Sequence, residues 1–351
     1  MNKILIYRHG SIGDTIVALP CFHKIRESYP NAHITLLTNR PTSIKEAPLE
    51  TILGCGYFFD RVITYPAATR NIFVIISLLF KIRSLQISTI IDLTVSKSPF
   101  RVPRDKIFFK AAGIKNLIGF PVNKEDVYYS IDVDTGDLEW EAKRLAHRLK
   151  SLGAIDLVQD RYWDLKLSLT EIGLGQYILS KLPNNNPIIS ISIGTKVQAN
   201  DWGFANWILL LERIRIMFPH WNLIIIGSMD EVEIANNCLR AWGGQGLNLC
   251  GEVTPRVSAF ILKKSQFFIG HDSGPMHMAG CVGTPCVAIF SARNLPGLWY
   301  PRGDLNQVIY HKTDCAGCGL TVCVENNKKC ILSISVEEVV NAVTRIVDDV
   351  K

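Results

Sequence analysis

The amino-acid sequence predicts an α/β protein built from two doubly wound parallel sheets. Short apolar runs alternate with helical patterns from KILIY at 3–7 onward, and this alternation begins again after the polar stretch LPNNNP at 182–187. Strands that alternate with helices favour parallel sheets with helices on both faces. The repetition predicts two similar domains with a cleft between them: a first domain at 1–170, a linker at 171–186 and a second domain at 187–351.

The first half has a β-loop-α-β order. KILIY and HITLLT at 33–38 are predicted strands, and RHGSIGD is the loop after the first of them. The helix between them carries apolar residues every three or four positions, and Pro20 breaks or restarts its first turn. Further strands are predicted at 88–93 and 117–120. The run IFVIISLLF at 72–80 is too short to span a membrane and predicts a buried helix, with a membrane-contacting surface as the alternative.

The second half repeats the pattern with more elements. The predicted strands are IISISIG, NLIIIG, LNLCG, QFFIG and PCVAIF, and the predicted helices are NWILLLERIRIMFP, SMDEVEIANNCLRAW, SAFILKKS, PMHMAGCVG and the amphipathic tail SVEEVVNAVTRIVDDV. Ligands of such sheets bind outside the carboxyl ends of the strands. The loops GSIGD and GHDSGP follow strands in the two halves, so both are candidate binding loops.

Composition narrows the classes of partner. The chain has 351 residues, of which 48% are hydrophobic, and a formal charge of +6. That charge is too small to indicate a nucleic-acid binder, but it suits an anionic substrate or an acidic membrane surface. Its opening MNKILIYRHG lacks the pattern of a signal peptide, and the ten cysteines therefore predict reduced thiols of a cytoplasmic protein.

The loop HGSIGD carries one carboxylate, Asp14, at a predicted helix start. It matches neither the dinucleotide fingerprint nor the phosphate-binding P-loop. Asp14 is then either a helix N-cap or a general base, and the residues alone leave both open.

The stretch GHDSGPMHMAG at 270–280 predicts an abrupt helix start. Asp272 and Ser273 suit an N-cap and Pro275 suits the first turn. A helix N-terminus with a glycine-opened backbone binds anions through its free N–H groups and its dipole. The stretch is therefore either an ordinary strand-to-helix junction or an anion site. His277, one turn into that helix, is either a packed residue or a ligand-binding one.

Together these motifs resemble glycosyltransferase family 9, the bacterial heptosyltransferases of the lipopolysaccharide core. The resemblance covers nearly the whole chain and rests on RHGSIGDTIVALPCFHKIRESYPNAHITLL, GTKVQANDWGFANWILLLERI, IIIGSMDEVE and GHDSGPMHMAGCVGTPCVAIF. It implies a GT-B fold, in which two Rossmann-like domains face a cleft. It further implies an inverting, metal-independent transferase whose first domain binds the acceptor and whose second binds a nucleotide sugar.

The resemblance also implies roles for individual residues. Asp14 would deprotonate the acceptor hydroxyl, with its neighbours Gly10, Ser11 and Gly13 on the acceptor side. The donor-binding set would hold the nucleotide sugar: Ser273 and Gly274 at the diphosphate with His277 beside it, Asp272 shaping the turn, Glu231 at the sugar or ribose, and Thr195 with Lys196 completing the set.

One position departs from the family pattern. The family usually has Lys two residues before the Trp of the GTKVQANDW segment, where this chain has Asn200. Lys196 is expected to take over its phosphate-neutralising role, and Asn200→Lys is expected to leave activity equal or raise it. Trp202 is expected to be a packing residue.

The stretch HKTDCAGCGLTVCVENNKKC contains Cys315, Cys318, Cys323 and Cys330. The C-x-x-C pair has metal-ligand spacing, but the following gaps are not those of a standard zinc site. A reduced thiol cluster is therefore expected, with structural zinc as the alternative. No cofactor is expected for catalysis.

The leading functional prediction is transfer of a heptose or related sugar from a nucleotide-sugar donor. The expected donor is ADP-heptose. The acceptor would be the lipopolysaccharide core or another lipid-linked surface glycan, with no nucleic-acid partner. A peripheral contact with the inner face of the inner membrane goes with that prediction. The alternatives are a non-catalytic nucleotide-sugar or glycan-binding protein and a GT-B-shaped nucleotide-sugar epimerase.

Overall fold

A computed structural model describes residues 2–40, 47–67, 69–95, 101–123 and 126–350. The chain divides into two compact units, Met1–Lys166 and Leu167–Lys351. Each unit is an α/β structure around a parallel sheet, as the sequence predicts.

The first unit contains a five-stranded sheet in the order β3-β2-β1-β4-β5. Its elements in chain order are β1 (Lys3–Tyr7), α1 (Ile12–Val17), α2 (Leu19–Ser28), β2 (His33–Asn39), α3 (Leu49–Leu53), β3 (Arg61–Tyr65), α4 (Ile72–Ser84), β4 (Thr89–Asp92), α5 (Arg101–Ala111), β5 (Asn116–Ile118) and α6 (Glu141–Arg148). Two short 3-10 turns, Lys150–Leu152 and Asp160–Trp163, complete it.

The second unit contains a six-stranded sheet in the order β11-β10-β9-β6-β7-β8. Its elements in chain order are α7 (Leu169–Leu179), β6 (Ile188–Ser192), α8 (Phe204–Met217), β7 (Asn222–Ile225), α9 (Val232–Trp242), β8 (Gly246–Asn248), α10 (Pro255–Lys263), β9 (Phe267–His271), α11 (Gly274–Cys281), β10 (Cys286–Phe290), β11 (Gln307–Tyr310), α12 (Lys329–Leu332) and α13 (Val336–Val350). Short 3-10 turns lie at Gln198–Asn200 and Met229–Glu231.

Both sheets reverse their winding direction beside their first strand. In the first unit the chain builds outward from β1 to β3 and then returns to add β4 on the other side of β1. In the second unit β9 is added beside β6 in the same way. Crevices at such reversals bind ligands at the carboxyl ends of the strands. The loops after β1, β4, β6 and β9 therefore border the candidate sites.

The helix pattern after β1 is interrupted where the sequence predicts. Helix α1 ends at Val17 and α2 begins at Leu19, with Pro20 in the first turn of α2. Proline is tolerated there because the N–H groups of a first helical turn have no partner within the helix.

The sequence predicts a linker at 171–186, but most of these residues belong to a helix. Helix α7 occupies Leu169–Leu179 and packs against α10 within the second unit. Glu171 ties the two helices together, because its Oε1 accepts a hydrogen bond of 2.6 Å from Nε of Arg256. The structural division falls after Lys166, four residues before the predicted boundary at 170.

The expectation that residues 72–80 form a buried helix is wrong in one respect. They belong to helix α4, but its only fully buried residue is Ile82. Phe73 is 78% exposed and Phe80 is 63% exposed. One side of α4 packs against the hydrophobic core of the first unit, and the other side presents apolar side chains to solvent.

Candidate functional sites at the strand ends

The loop after β1 folds around the carboxylate of Asp14. Ser11 is the N-cap of α1, and Asp14 is the third residue of that helix. Its Oδ2 accepts hydrogen bonds from the backbone N of Ser11 at 2.6 Å and from Ser11 Oγ at 2.7 Å. The structural alternative for Asp14 is therefore corrected: it is the acidic partner in a capping box and not the cap itself.

Gly10 allows this arrangement. Its φ of +137° is unfavourable for other residues, and a Cβ there would lie 2.7 Å from Asp14 Oδ2. Gly13 is buried in the first turn of α1. Gly10 and Ser11 thus lie against the Asp14 carboxylate, and Gly13 lies in the same helical turn. Their assignment to the acceptor side stays a prediction.

Arg8 lies beneath the loop and is completely buried. Its guanidinium donates hydrogen bonds to the backbone oxygens of Asp14 and of Leu93, which directly follows β4. Burial lowers the pKa of Arg8, and the charge of Asp14 acts in the opposite direction. Arg8 therefore links the two loops that border the crevice of the first unit.

A second buried arginine holds the loop after β4 from the other side. Arg148 donates hydrogen bonds to the backbone oxygens of Thr94 at 2.7 Å and Asp92 at 2.9 Å. Its Nη2 also lies 3.3 Å from the Asp92 carboxylate. These contacts fix the backbone at the end of β4, opposite the Asp14 loop.

The loop after β9 starts a helix as the sequence predicts. Ser273 is the N-cap of α11, Gly274 is its first residue, and Pro275 lies in its first turn. The side chain of Ser273 caps no backbone N–H. Its buried Oγ has no hydrogen-bond partner within the described parts of the chain. A buried hydroxyl without a partner costs free energy, which a hydrogen-bonding ligand would recover.

Asp272 and His277 lie together at this helix start. The Nε2 atom of His277 is 3.6 Å from Asp272 Oδ1, and Asn294 Nδ2 approaches Asp272 Oδ2 at 3.4 Å. The His277 ring stands edge-on to Trp299 with centroids 6.2 Å apart. The structure thus brings together Asp272, Ser273, Gly274 and His277, which the sequence singles out.

His271 supports the same loop from within the sheet. It is fully buried, and its Nε2 accepts a hydrogen bond of 3.1 Å from the backbone N of Trp202. Burial lowers the pKa of His271 to about 4. The ring is therefore neutral at physiological pH, as an acceptor at Nε2 must be. Trp202 is also fully buried and donates from Nε1 to the Ile334 oxygen, so it packs inside the second unit.

Asn200 is a buried structural residue in this unit. It is 3% exposed. Its Nδ2 donates a hydrogen bond of 3.2 Å to the backbone oxygen of Asp272. Its Oδ1 accepts a hydrogen bond of 2.5 Å from Ser291 Oγ. The position where the family usually has lysine is thus filled here by an amide that ties together the chain after β9 and after β10.

The loop after β6 carries the other donor-side candidates. Thr195 Oγ1 accepts from the Val197 backbone N and donates to the Val197 oxygen, both at 3.2 Å. Lys196 between them is exposed. Because β6 neighbours β9, Lys196 follows one strand of the crevice and Ser273 follows the other.

Glu231 lies between two glycines. Its carboxylate accepts hydrogen bonds from Ser228 N at 3.3 Å and Ser228 Oγ at 2.9 Å, which forms another capping box. A Cβ at Gly194 would lie 1.9 Å from one of its oxygens, and a Cβ at Gly227 would lie 2.2 Å from the other. Gly194 follows β6 and Gly227 follows β7, so Glu231 reaches the carboxyl edge of the sheet.

The four cysteines near the end of the chain line one pocket. Cys315, Cys318, Cys323 and Cys330 surround it together with Lys329 and Arg293. All ten cysteines of the chain are free thiols. Among the described residues, no group of three or more His, Cys, Asp or Glu is arranged to hold a metal ion.

Sequence reasoning misses several residues of these sites. Arg8 had a signal, because it directly follows β1 and opens the motif RHGSIGD. Asn294 and Trp299 had none, because they lie in the irregular segment after β10 and no spacing relates them to Asp272 or His277.

Solved structures with the same architecture identify the fold. A family 9 glycosyltransferase from Veillonella parvula superposes with a TM-score of 0.70 at 17% identity, covering 99% of this chain and 98% of the other. The ADP-heptose lipopolysaccharide heptosyltransferase II of E. coli gives a TM-score of 0.64 at 16% identity, covering 99% and 100%. The fold is therefore GT-B.

Sequence comparison identifies the family. The model of glycosyltransferase family 9 (heptosyltransferase) matches residues 145–329, more than half of the chain. A lipopolysaccharide heptosyltransferase 1 from Campylobacter coli is 22% identical over 307 residues, which are 83% of this chain and 84% of that protein. The chain belongs to glycosyltransferase family 9 and is a glycosyltransferase enzyme. This decides against the binding-protein and epimerase alternatives.

Proposed function

We propose that the protein transfers a heptose from ADP-heptose to the lipopolysaccharide core or a related lipid-linked surface glycan. The unpartnered, buried hydroxyl of Ser273 at the start of α11 carries this proposal, because it offers a hydrogen bond at the crevice of the second unit. The names of the E. coli and Campylobacter coli relatives support ADP-heptose as donor and lipopolysaccharide as acceptor.

The donor diphosphate would bind the start of α11. Backbone N–H groups and the helix dipole favour an anion there, and the Ser273 hydroxyl adds a donor. Lys196, on the neighbouring loop, would neutralise charge on the same group. His277 would lie beside the diphosphate, oriented by Asp272, while Thr195 and Glu231 would contact the sugar or ribose.

Asp14 of the first unit would act as the general base on the acceptor. Both of its hydrogen bonds to Ser11 use Oδ2, so the proposal assigns the proton to Oδ1. As the acceptor oxygen bonds to the anomeric carbon, its proton passes to Asp14, and the bond from that carbon to the diphosphate breaks with inversion. Fixed donors would stabilise the charge that develops on the departing ADP without a metal ion.

The test measures ADP release from ADP-heptose with and without a lipopolysaccharide-core acceptor. The proposal expects release that depends on the acceptor, together with a product heavier by one heptose. Release without any acceptor indicates a hydrolase, and turnover of another nucleotide sugar alone replaces heptose as the substrate. Either result contradicts the proposal.

The cysteine pocket would be structural and not catalytic. We propose that Cys315, Cys318, Cys323 and Cys330 are reduced thiols, and structural zinc is the competing occupant. Metal analysis of the purified protein separates the two: zinc requires about one equivalent. It also requires Cys315→Ser combined with Cys318→Ser to lower both metal content and stability, whereas a thiol cluster predicts metal-free, folded protein.

A further inference from the structure

Helix α4 is apolar on both of its sides. Leu78, Leu79 and Ile82 pack into the core of the first unit. On the opposite side Phe73 and Phe80 are 78% and 63% exposed. A helix that is apolar all round normally has both sides covered, so the exposed side needs a partner.

The exposed groups form one continuous face. Phe73, Ile76, Phe80 and Arg83 are spaced by three, four and three residues, which places them on one side of a helix. The face is therefore an apolar stripe that ends in a cation. No helix in the described part of the chain is long and apolar enough to cross a membrane.

The surroundings of the stripe are basic. Residues 61–91 contain four lysines or arginines and no aspartate or glutamate: Arg61, Arg70, Lys81 and Arg83. Arg83 Nη1 donates a hydrogen bond of 3.2 Å to the Ala111 oxygen, so the end of α5 adjoins the end of α4.

Helix α5 extends the same character. It adds exposed Ile107 and Lys110 close to that junction. Its single acid, Asp105, is buried and bonded to Arg104 at 2.7 Å, so it does not offset this charge at the surface. We call the exposed residues Phe73, Ile76, Phe80, Lys81, Arg83, Ile107 and Lys110 the basic–apolar surface.

We propose that the basic–apolar surface docks on a bilayer that contains anionic lipids. Apolar side chains at this density enter the boundary between headgroups and acyl chains, and lysine or arginine beside them binds negative headgroups. Charge argues against a second copy of the chain, because self-association through this surface would oppose like charges. The inference rests on the proposed function in one respect, since a lipid-linked acceptor is presented at a membrane.

Co-sedimentation with vesicles tests the proposal. The full-length protein is expected to bind vesicles of phosphatidylcholine and phosphatidylglycerol more tightly than vesicles of phosphatidylcholine alone, and high salt should weaken binding. Lys81→Gln with Lys110→Gln should reduce binding roughly 30-fold, because each cation near the surface contributes about fivefold. Phe73→Ser with Phe80→Ser should reduce it at least tenfold.

The matched control is Ile216→Ser. Ile216 is 77% exposed on α8 of the second unit, so it tests exposed apolar area outside the basic–apolar surface. This variant should bind vesicles like the wild type. Equal binding to neutral vesicles, binding unaffected by either double variant, or a dimer that the phenylalanine variant dissociates would each overturn the proposal.

An activity assay with a lipid-free oligosaccharide acceptor separates a failure of this inference from a failure of the proposed function. Both double variants should retain wild-type turnover on that acceptor. If no protein transfers heptose while the vesicle results hold, the proposed function fails and the docking surface stands.

Discussion

The two candidate loops are supported by their sheets in opposite ways. The loop after β1 rests on Arg8, a buried cation that donates to the backbone on both sides of its crevice. The loop after β9 follows His271, a buried ring held neutral that accepts from the Trp202 backbone. In the first loop the backbone N–H and the hydroxyl of Ser11 donate to the carboxylate of Asp14. In the second, the Ser273 hydroxyl is buried without a partner in the described structure.

This difference separates a loop that supplies negative charge from a loop suited to receive it. In the first loop the donors of Ser11 are already paired with Asp14, and the positive charge of Arg8 is buried below the loop. The second exposes a helix start, and its nearest carboxylate, Asp272, is directed to His277 and Asn294. A carboxylate can accept a proton, whereas a helix start with free N–H groups suits an anion.

The largest expected effect is at Asp14. Asp14→Asn keeps the size of the side chain and one acceptor oxygen for Ser11, but it removes the base. Positioned base catalysis contributes about 10²–10⁴-fold, so turnover should fall by that factor while the affinity for ADP-heptose stays nearly unchanged. Steady-state kinetics and calorimetric titration measure the two quantities.

The control for Asp14 is Glu338→Gln. Glu338 is the acidic partner of the Ser335 capping box at the start of α13, with the same two hydrogen bonds at 2.8 and 2.7 Å. Gln keeps an acceptor oxygen for Ser335 but loses the charge that faces His311, whose Nε2 lies 2.7 Å from Glu338 Oε1. Because this pair is partly exposed, the change should cost less than about 1 kcal/mol of stability and no turnover. If Asp14→Asn behaves like Glu338→Gln, Asp14 serves only as the partner of Ser11 in the capping box.

Asn200→Lys has different expected effects on activity and on stability. The resemblance to the family predicts equal or higher activity, but the structure buries Asn200 with two hydrogen bonds. A lysine would place an uncompensated charge in the interior and should cost roughly 3–5 kcal/mol of unfolding free energy. Chemical denaturation measures this, with Asn185→Lys at an exposed loop position as the control. Unchanged stability would contradict the expected cost of burial, and lower turnover of the folded variant would contradict the expectation from the resemblance.

His271 makes the second unit sensitive to acid. Its pKa is about 4 in the folded protein and about 6.5 when unfolded, so the unfolded state takes up the proton first as pH falls. Its contribution is present above pH 6.5 and declines by about 3 kcal/mol as the pH falls to 4. Denaturation of the wild type and His271→Gln across this range should show the loss in the wild type only. Parallel curves would assign the acid sensitivity to other groups.

Lys196→Ala is expected to have a smaller effect. Removal of one preorganised charge contact should lower kcat/KM for ADP-heptose by about 10²-fold. Lys263→Ala, at an exposed position in the last turn of α10, serves as the control. If Lys196→Ala leaves kcat/KM unchanged, Lys196 does not neutralise the donor diphosphate at the start of α11.

The sequence predicts the central strands and the edge strands β5 and β8, but it misses the edge strands β3 and β11. Strands β1, β4, β6 and β9 lie inside their sheets and appear as apolar runs because both faces are covered. Strands β3 and β11 are edge strands with partly exposed residues, so RVITY and QVIY give no continuous apolar signal. Helix α4 shows the reverse error, because an apolar run does not reveal which of its sides is covered.

For the sites, the sequence predicts positions but not contacts. The loops containing Asp14 and Ser273 follow from strand endings, and the structure brings both to crevices at the carboxyl edge. The burial of Asn200 does not follow, because it depends on Ser291 and on the Asp272 backbone, both far away in the chain. Likewise, a capping-box pattern cannot distinguish Glu231, at a sheet edge, from Glu338 at the last helix.

The glycines beside Glu231 have a consequence for how related sequences diverge. A methyl group at residue 194 or 227 would occupy the space of the carboxylate oxygens, which belong to the end of a flexible side chain. At residue 194 alanine would turn Glu231 away before it disturbed the strand, whereas at residue 227 it would also meet the buried Cys250 Sγ at 2.8 Å. The three positions should therefore covary: homologues that lose either glycine should also have a shorter residue in place of the glutamate, and the pair of substitutions should be inherited together.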